Sequence, residues 1–193
     1  MAGRRGRGTR RRAMKRGGVW WVLALAALAA AVVIGARVLH VAGPPPTSRA
    51  GMDLFFVRYS DGGRTGGLVA VQRPAVSGVA DARVEAALRR LLVGPSAAER
   101  AKGIVSEVPA GTGLRRVTLS GGVATVDLTA AFSAGGGSTS MLARVWQVVY
   151  TATQIPEVHA VQILIGGRHV RALGGEGVMI DRPIERPASM PAF

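Results

Sequence analysis

One carboxylate, that of Asp127, lies within "SGGVATVDLT" (residues 120–129), a run of small and β-branched residues. An acid in apolar surroundings is a candidate catalytic group, because burial moves the pKa of a carboxyl toward the working pH. A two-residue turn at Gly121–Gly122, however, predicts a hairpin that pairs Arg116 with Asp127 on its outer face. We therefore expect Asp127 to be a solvent-facing carboxylate opposite an arginine, and part of the scaffold.

The other residue types offer little catalytic chemistry. The chain of 193 residues has no cysteine, which excludes disulfides, thiol nucleophiles, cysteine-based zinc sites and a lipid-modified cysteine. Its histidines, His40, His159 and His169, do not fit the spacings of known metal motifs, and no serine lies in Gly-x-Ser-x-Gly. We predict no catalytic, cofactor-binding or metal-binding residues and no small-molecule substrate, so that the protein is not an enzyme. The alternative is a cell-wall (peptidoglycan) hydrolytic enzyme.

The formal net charge of +14 is concentrated at the N-terminus. Residues 1–18 carry eight basic and no acidic side chains, whereas the rest of the chain has 17 basic and 11 acidic residues. Residues 19–36, "VWWVLALAALAAAVVIGA", are uncharged. A helix of that length rises about 27 Å, close to the roughly 30 Å of a bilayer core. The pattern predicts a basic cytoplasmic tail at 1–18 and a single-pass transmembrane anchor at 19–42, in which Arg37 snorkels to the membrane surface.

The basic tail also predicts the orientation of the anchor. Positive charge before a span keeps that side in the cytoplasm, so the rest of the chain is expected to be extracytoplasmic. A cleaved signal peptide has the same order of charges and remains an alternative interpretation, although its apolar region is usually only about 7–15 residues long. A basic arm can bind nucleic acid through phosphates, but beside a span its charge is explained by topology. No nucleic-acid partner is predicted.

A folded domain is predicted beyond the anchor. Residues 43–51, "GPPPTSRAG", form a Pro-rich linker, because consecutive prolines favour a stiff, extended chain. The domain is expected at 52–186, followed by an irregular tail at 187–193. Within it, "MDLFFVRY" (52–59) and "LVAVQRP" (68–74) have the composition of strands.

Two long helices are predicted from apolar residues at helical spacing. The first is "ARVEAALRRLLV", with Asp81 as its predicted N-terminal cap. A short helix is predicted after it, because Ser96 and Glu99 have the spacing of a capping box. The second is "SMLARVWQVVYTATQI" (140–155). The buried stripe of the first comprises Val84, Ala87, Leu88, Leu91 and Leu92. That of the second comprises Leu142, Val145, Trp146, Val149 and Ala152, beside a narrow polar stripe of Arg144, Gln147, Thr151 and Gln154.

A second hairpin is predicted in "HAVQILIGGRHVRAL", turning at Gly166–Gly167 with Gln162 opposite Arg171 on the outer face. The predicted order is then β-β-α-β-β-α-β-β. This is an α+β fold with a mainly antiparallel sheet covered on one face by two helices, preceded by one N-terminal transmembrane helix.

Two long segments of the chain resemble the GerMN domain, also called Germane, a module of sporulation and spore germination. They are "ALRRLLVGPSAAERAKGIVSEVPAGTGLRRVTLSGGVATVDLTAAF" and "VVYTATQIPEVHAVQILIGG". The motifs Leu-Leu-x-Gly-Pro, Ser-x-x-Pro-x-Gly-Thr, Val-Asp-Leu and Tyr-Thr follow one another in that order. The resemblance implies a non-enzymatic, extracytoplasmic module of the Gram-positive envelope, and it supplies no catalytic residues. The chain departs from the family in lacking the lipoprotein cysteine and in carrying one copy of the domain.

Three function classes follow from these observations. The favoured one is a membrane-anchored extracytoplasmic binding or scaffolding module that engages an envelope protein or peptidoglycan, with a role in sporulation, germination or cell-wall regulation. The second is the cell-wall enzyme. The third is a cytoplasmic arm that binds nucleic acid, with the outer domain as its sensor.

Overall fold

The structure of the protein is a computed structural model that describes residues 51–174 and 177–193. The predicted basic tail, the anchor at 19–42 and all of the predicted linker except Gly51 lie outside these residues. Within the described part of the chain, no helix combines the length and the apolar character needed to cross a membrane.

The first sheet is built on one long hairpin. Strand β1 (Gly51–Ser60) pairs antiparallel with β2 (Thr65–Pro74) along ten residues, and the short β3 (Ile104–Val105) pairs with the far end of β1. The strand order is therefore β2-β1-β3. Both faces of β1 are covered, because the four consecutive residues 54–57 are buried. The two strands predicted here are confirmed, and the first already begins at Gly51.

The second sheet has the order β4-β5-β6-β7. Strands β4 (Leu114–Ser120) and β5 (Val123–Leu128) form the predicted hairpin, with Ser120 opposite Val123 and Arg116 opposite Asp127 as expected. Strand β6 (Ala160–Ile165) then pairs parallel to β5, and the two-residue β7 (Ile184–Glu185) closes the edge.

Two sheets with a parallel pair replace the single, mainly antiparallel sheet that the sequence predicts. The predicted second hairpin is wrong, because after the Gly166–Gly167 turn only one bridge, between Ile165 and Arg168, joins the two arms. Residues 171–173 instead pair with residues 178–180, and β7 takes the place beside β6. Gln162, expected on the outer face, is buried and donates to the Ile180 carbonyl at 3.0 Å.

Helix α1 (Ala80–Val93) buries the predicted stripe, with Val84, Ala87, Leu88 and Leu91 almost fully inaccessible and Leu92 partly so. Its N-cap is Val79, so the predicted cap at Asp81 is wrong. Asp81 lies in the first turn, where its carboxylate accepts a hydrogen bond from the Ala82 amide.

The short helix α2 (Ala97–Arg100) begins with the predicted capping box. Ser96 accepts a hydrogen bond from the Glu99 amide, and the Glu99 carboxylate accepts one from the Ser96 amide. The same carboxylate is held bidentately by Arg73 of β2 at 2.7 and 2.8 Å. This arginine lowers the pKa of Glu99 to about 2, and the Ser96 amide acts in the same direction. The ion pair fastens α2 to the first sheet.

Helix α3 (Ser138–Ala152) lies against β1. Its predicted apolar stripe is buried at Val145, Val149 and Ala152, while Leu142 and Trp146 are only half-buried. The predicted polar stripe is the larger surprise, because Arg144, Gln147 and Thr151 are all buried. One apolar core joins α1, α3 and both sheets.

Candidate ligand-binding surfaces

Asp127 is a buried acid, contrary to the sequence prediction. The residue is 9% exposed, and each oxygen of its carboxylate accepts a hydrogen bond. Oδ1 accepts from the Gly167 amide at 2.7 Å, and Oδ2 accepts from Arg115 Nε at 3.0 Å. The partner is thus Arg115, although Arg116 is the residue directly across the strands. Asp127 is buried because β6 and the turn that follows it lie beside this end of β5.

A β-bulge explains the change of partner. Leu114 pairs with Leu128 and Arg116 pairs with Asp127, so Arg115 is an extra residue in β4. In a regular strand, neighbouring side chains point to opposite faces, but a bulge turns two successive side chains toward one side. Both arginines accordingly line the same groove.

We call this feature the arginine groove. It has a volume of about 360 Å³ and lies over the β4, β5 and β6 strands. The Arg115 side chain is 53% exposed, and only its Nε is bonded within the described residues. Arg116 is exposed and has no hydrogen bond there. The groove therefore presents Arg116, unpaired within the described residues, and the terminal nitrogens of Arg115 to a negatively charged group, beside the Asp127 carboxylate that pairs with Arg115 Nε. Its lining comprises Arg115, Arg116, Thr118, Thr125, Asp127, Leu164 and Gly167.

A second surface lies between α3 and the C-terminal segment, and we call it the Trp146 groove. Its volume is about 500 Å³. Trp146, which the sequence assigns to the buried face, is half-buried here and packs edge-on against Tyr150 at 6.1 Å between ring centroids. Met179 in the opposite wall is 53% exposed. The lining is Val145, Trp146, Val178, Met179, Arg182, Pro183, Ile184 and Glu185.

Arg144 is a buried cation with a structural role. Its guanidinium donates to the carbonyls of Phe132, Ala134 and Gly135 and to Ser140 Oγ, at 2.8 to 3.1 Å. These bonds hold the Gly-rich segment before α3 against the helix. Burial lowers the pKa of Arg144. The sequence correctly predicts that this residue lies on α3, but it does not predict that the residue is buried. Most of its acceptors are backbone carbonyls, which leave no pattern in the sequence.

The histidines and acids form no catalytic constellation in the part of the chain that the structure describes. His159 packs its ring against Gly122, and neither it nor His169 makes a side-chain hydrogen bond there. Glu107 accepts a hydrogen bond from Tyr59 at 2.7 Å. Burial of the tyrosine is the larger cause, and this hydrogen bond the smaller, of a Tyr59 pKa raised to about 12. No three potential ligands among the described residues could hold a metal ion.

Residues 53–171 match the model of the Germane family, whose description is sporulation and spore germination. The chain belongs to this family. All residues of the arginine groove fall within the match, whereas the wall of the Trp146 groove formed by residues 178–185 lies beyond it. The Trp146 groove is therefore not wholly part of the Germane core. A comparison with curated protein sequences found no match.

Solved structures with the same fold include other GerMN domains. The tandem GerMN domains of the sporulation protein GerM from Bacillus subtilis give a TM-score of 0.57 at 18% identity, over 77% of this chain and 50% of theirs. The first GerMN domain of GerM gives 0.54 at 19% identity, over 70% and 97%. A protein described as a lipoprotein from Clostridium perfringens gives 0.51 at 22% identity, over 70% and 87%. The chain spans half of the tandem protein. At these identities the similarity shows the fold.

Proposed function

We propose that the protein is a membrane-anchored extracytoplasmic binding module of the cell envelope, with a role in sporulation, germination or cell-wall regulation. The family description and the sporulation protein among its structural neighbours support the process. The lipoprotein neighbour supports a place in the envelope. The anchor follows from the uncharged stretch at 19–36 behind a basic tail.

The Trp146 groove is the observation that carries a binding role. It combines a half-buried tryptophan with an exposed methionine, and both residue types are enriched at protein interfaces. Arg182 and Glu185 line the same groove and supply one charge of each sign. A protein segment that presents apolar side chains between an acid and a base would satisfy all of these groups. We therefore propose an envelope protein as the partner. No observation in the described residues favours the cell-wall hydrolase.

Photo-crosslinking in intact cells tests this function. A photoreactive phenylalanine analogue is placed at Met179 in the full-length chain. The matched control carries it at Val93, which is 85% exposed at the end of α1 and outside the groove. We expect a discrete adduct with an envelope protein from Met179 only, and we expect Trp146→Ala to abolish it. Equal adducts from both positions, or none from Met179, would contradict the proposal.

A phenotype links the contact to the process. Met179→Glu should impair spore formation or wall growth, because a charge in an apolar groove opposes binding. Val93→Glu should leave both processes normal. Chain levels are compared by immunoblot, so that a loss of protein is not mistaken for a loss of binding.

A further inference from the structure

We propose that the arginine groove binds an oxyanion, a phosphate or carboxylate group carried on a linear polymer. This site is separate from the Trp146 groove, and the inference does not depend on the proposed protein partner. It rests on how the second sheet is built around Arg115.

The bulge places two cations where a regular strand would place one. Arg115 and Arg116 are consecutive, yet both line the same groove. Bulges are enriched beside functional sites because they redirect side chains. Here the redirection brings two guanidinium groups, each a fork of donors suited to oxyanions, into one groove.

Asp127 fixes the first of these groups. It engages Nε of Arg115, and the two terminal Nη groups of this half-exposed side chain make no hydrogen bond within the described residues. The carboxylate is itself held by the Gly167 amide. A guanidinium held at one end loses less side-chain freedom when it binds a ligand, so it binds more tightly than a free surface arginine. Asp127 is in this sense a positioning residue.

Two threonines supply neutral donors beside the cations. Thr118 and Thr125 face each other across β4 and β5, and both line the groove. Their hydroxyls can donate to the oxygens of a phosphate or carboxylate. An open groove with cations at one end and hydroxyls along its floor fits an extended anionic chain.

The test uses the full-length chain in detergent micelles and two soluble probes, poly(glycerol phosphate) for phosphate and poly-γ-glutamate for carboxylate. Binding is followed by the backbone amide NMR signals of Thr118 and Thr125. These signals report on the groove itself. We expect saturable shifts with at least one probe and none at Val93. The probe that binds more tightly identifies the chemistry, and no saturable shift with either probe would overturn the proposal.

Variants of equal charge separate a site from general attraction. Arg115→Gln with Arg116→Gln should weaken binding about tenfold or more, the scale of one or two lost charge-assisted hydrogen bonds. Arg58→Gln with Arg64→Gln removes two exposed cations elsewhere and should change the affinity less than about twofold. Equal effects of the two pairs would overturn the proposal.

Asp127→Asn gives the sharpest discrimination. It makes the groove more positive, so simple attraction predicts tighter binding. If the Asp127 carboxylate positions Arg115, its loss predicts weaker binding, by about threefold or more. This is the result we expect. Unchanged or tighter binding would overturn the positioning role. Should this variant fail to fold, Asp127→Glu decides the question. It keeps the net charge, so simple attraction predicts unchanged binding, whereas its longer side chain displaces the carboxylate from Arg115 Nε and the positioning role predicts weaker binding. Thermal unfolding verifies that each variant is folded.

Discussion

A single buried carboxylate connects three parts of the second sheet. Asp127 belongs to β5, and it binds Arg115 of β4 and the backbone amide of Gly167 after β6. Removing it takes the acceptor from the Gly167 amide and the ion pair from Arg115 at a site that is only partly buried. A hydrogen bond to a charged group contributes about 1.5–3 kcal/mol to stability, more than a bond between neutral groups.

Asp127→Ala should therefore lower the free energy of unfolding by about 1–3 kcal/mol. This exceeds the 0.2–1 kcal/mol or so expected for a solvent-exposed ion pair. Arg116→Ala is the control and should change stability by less than about 0.5 kcal/mol, because its side chain is exposed and unbonded in the described structure. Urea unfolding measures both. An Asp127→Ala variant as stable as the parent would contradict the buried role.

Glu99 makes stability depend on pH. The Arg73 guanidinium and the Ser96 amide hold its pKa at about 2, below its ordinary value of 4.5. Because the folded pKa is depressed, its contribution is complete above about pH 5 and is lost as the pH falls from about 4.5 toward 2. The contribution should be about 1 kcal/mol, since the pair is only partly buried.

The pH prediction is checked by unfolding the parent and Glu99→Gln between pH 7 and pH 3. The glutamine keeps an acceptor for the Ser96 amide but loses the charge. We expect the parent to be more stable at pH 7 and the difference to shrink toward pH 3. A difference that is constant with pH would refute the assignment to this carboxylate.

At the scale of elements, α3 completes the first sheet in place of a strand. Beyond β3, the edge of β1 at Asp53 and Phe55 has no partner strand among the described residues. Gln154 bonds the amide and the carbonyl of Asp53, Thr151 Oγ1 accepts from the Phe55 amide at 3.1 Å, and Gln147 donates to the Phe55 carbonyl at 3.1 Å. Two side chains of α3, together with Gln154 just beyond its C-terminus, thus satisfy the strand.

Thr151→Val should speed hydrogen exchange at the Phe55 amide, because valine keeps the shape of threonine and removes the acceptor. The Leu54 amide points toward β2 by the alternation of the strand, and its exchange should change only with global stability. We expect a loss of about 1–2 kcal/mol in the local opening free energy at Phe55. Equal changes at both amides would show that the bond is not local to this edge.

The packing of the two long helices predicts unequal effects of truncation. Leu88→Ala removes a fully buried side chain from α1 and should cost about 2–5 kcal/mol. Trp146→Ala should cost less than that, because the indole is half-buried at the groove. Thermal or urea unfolding of the two variants provides the comparison. A larger loss from Trp146→Ala would show that the groove wall is part of the core.

The success of the sequence predictions follows the range of the interactions. The register of β4 with β5, the stripe of α1 and the capping box depend on neighbours in the chain, and all three are confirmed. The parallel pairing of β5 with β6 joins residues about 37 positions apart and leaves no local pattern. The burial of Asp127 and of the polar face of α3 follows from such distant contacts. Neither could therefore be predicted from the sequence.

At the scale of the whole molecule, the predicted anchor leads to a test of topology. Eight basic residues precede the apolar stretch and one, Arg37, follows it directly, which favours a cytoplasmic N-terminus. Protease added to wall-stripped cells should cut near the prolines at 44–46 and release the folded domain. The membrane fragment should keep the basic tail. A domain protected until lysis would refute this orientation.

The side chains of α3 and of the turn after it that satisfy β1 also affect self-association. A bare strand edge is a template for a strand of another molecule, and it favours aggregation and fibre growth. Here Gln147, Thr151 and Gln154 occupy the groups that an incoming strand would need. These bonds therefore protect the edge of β1 in addition to stabilising the monomer. A substitution such as Thr151→Val should reveal itself in crowded solution as concentration-dependent assembly while most of the protein is still folded.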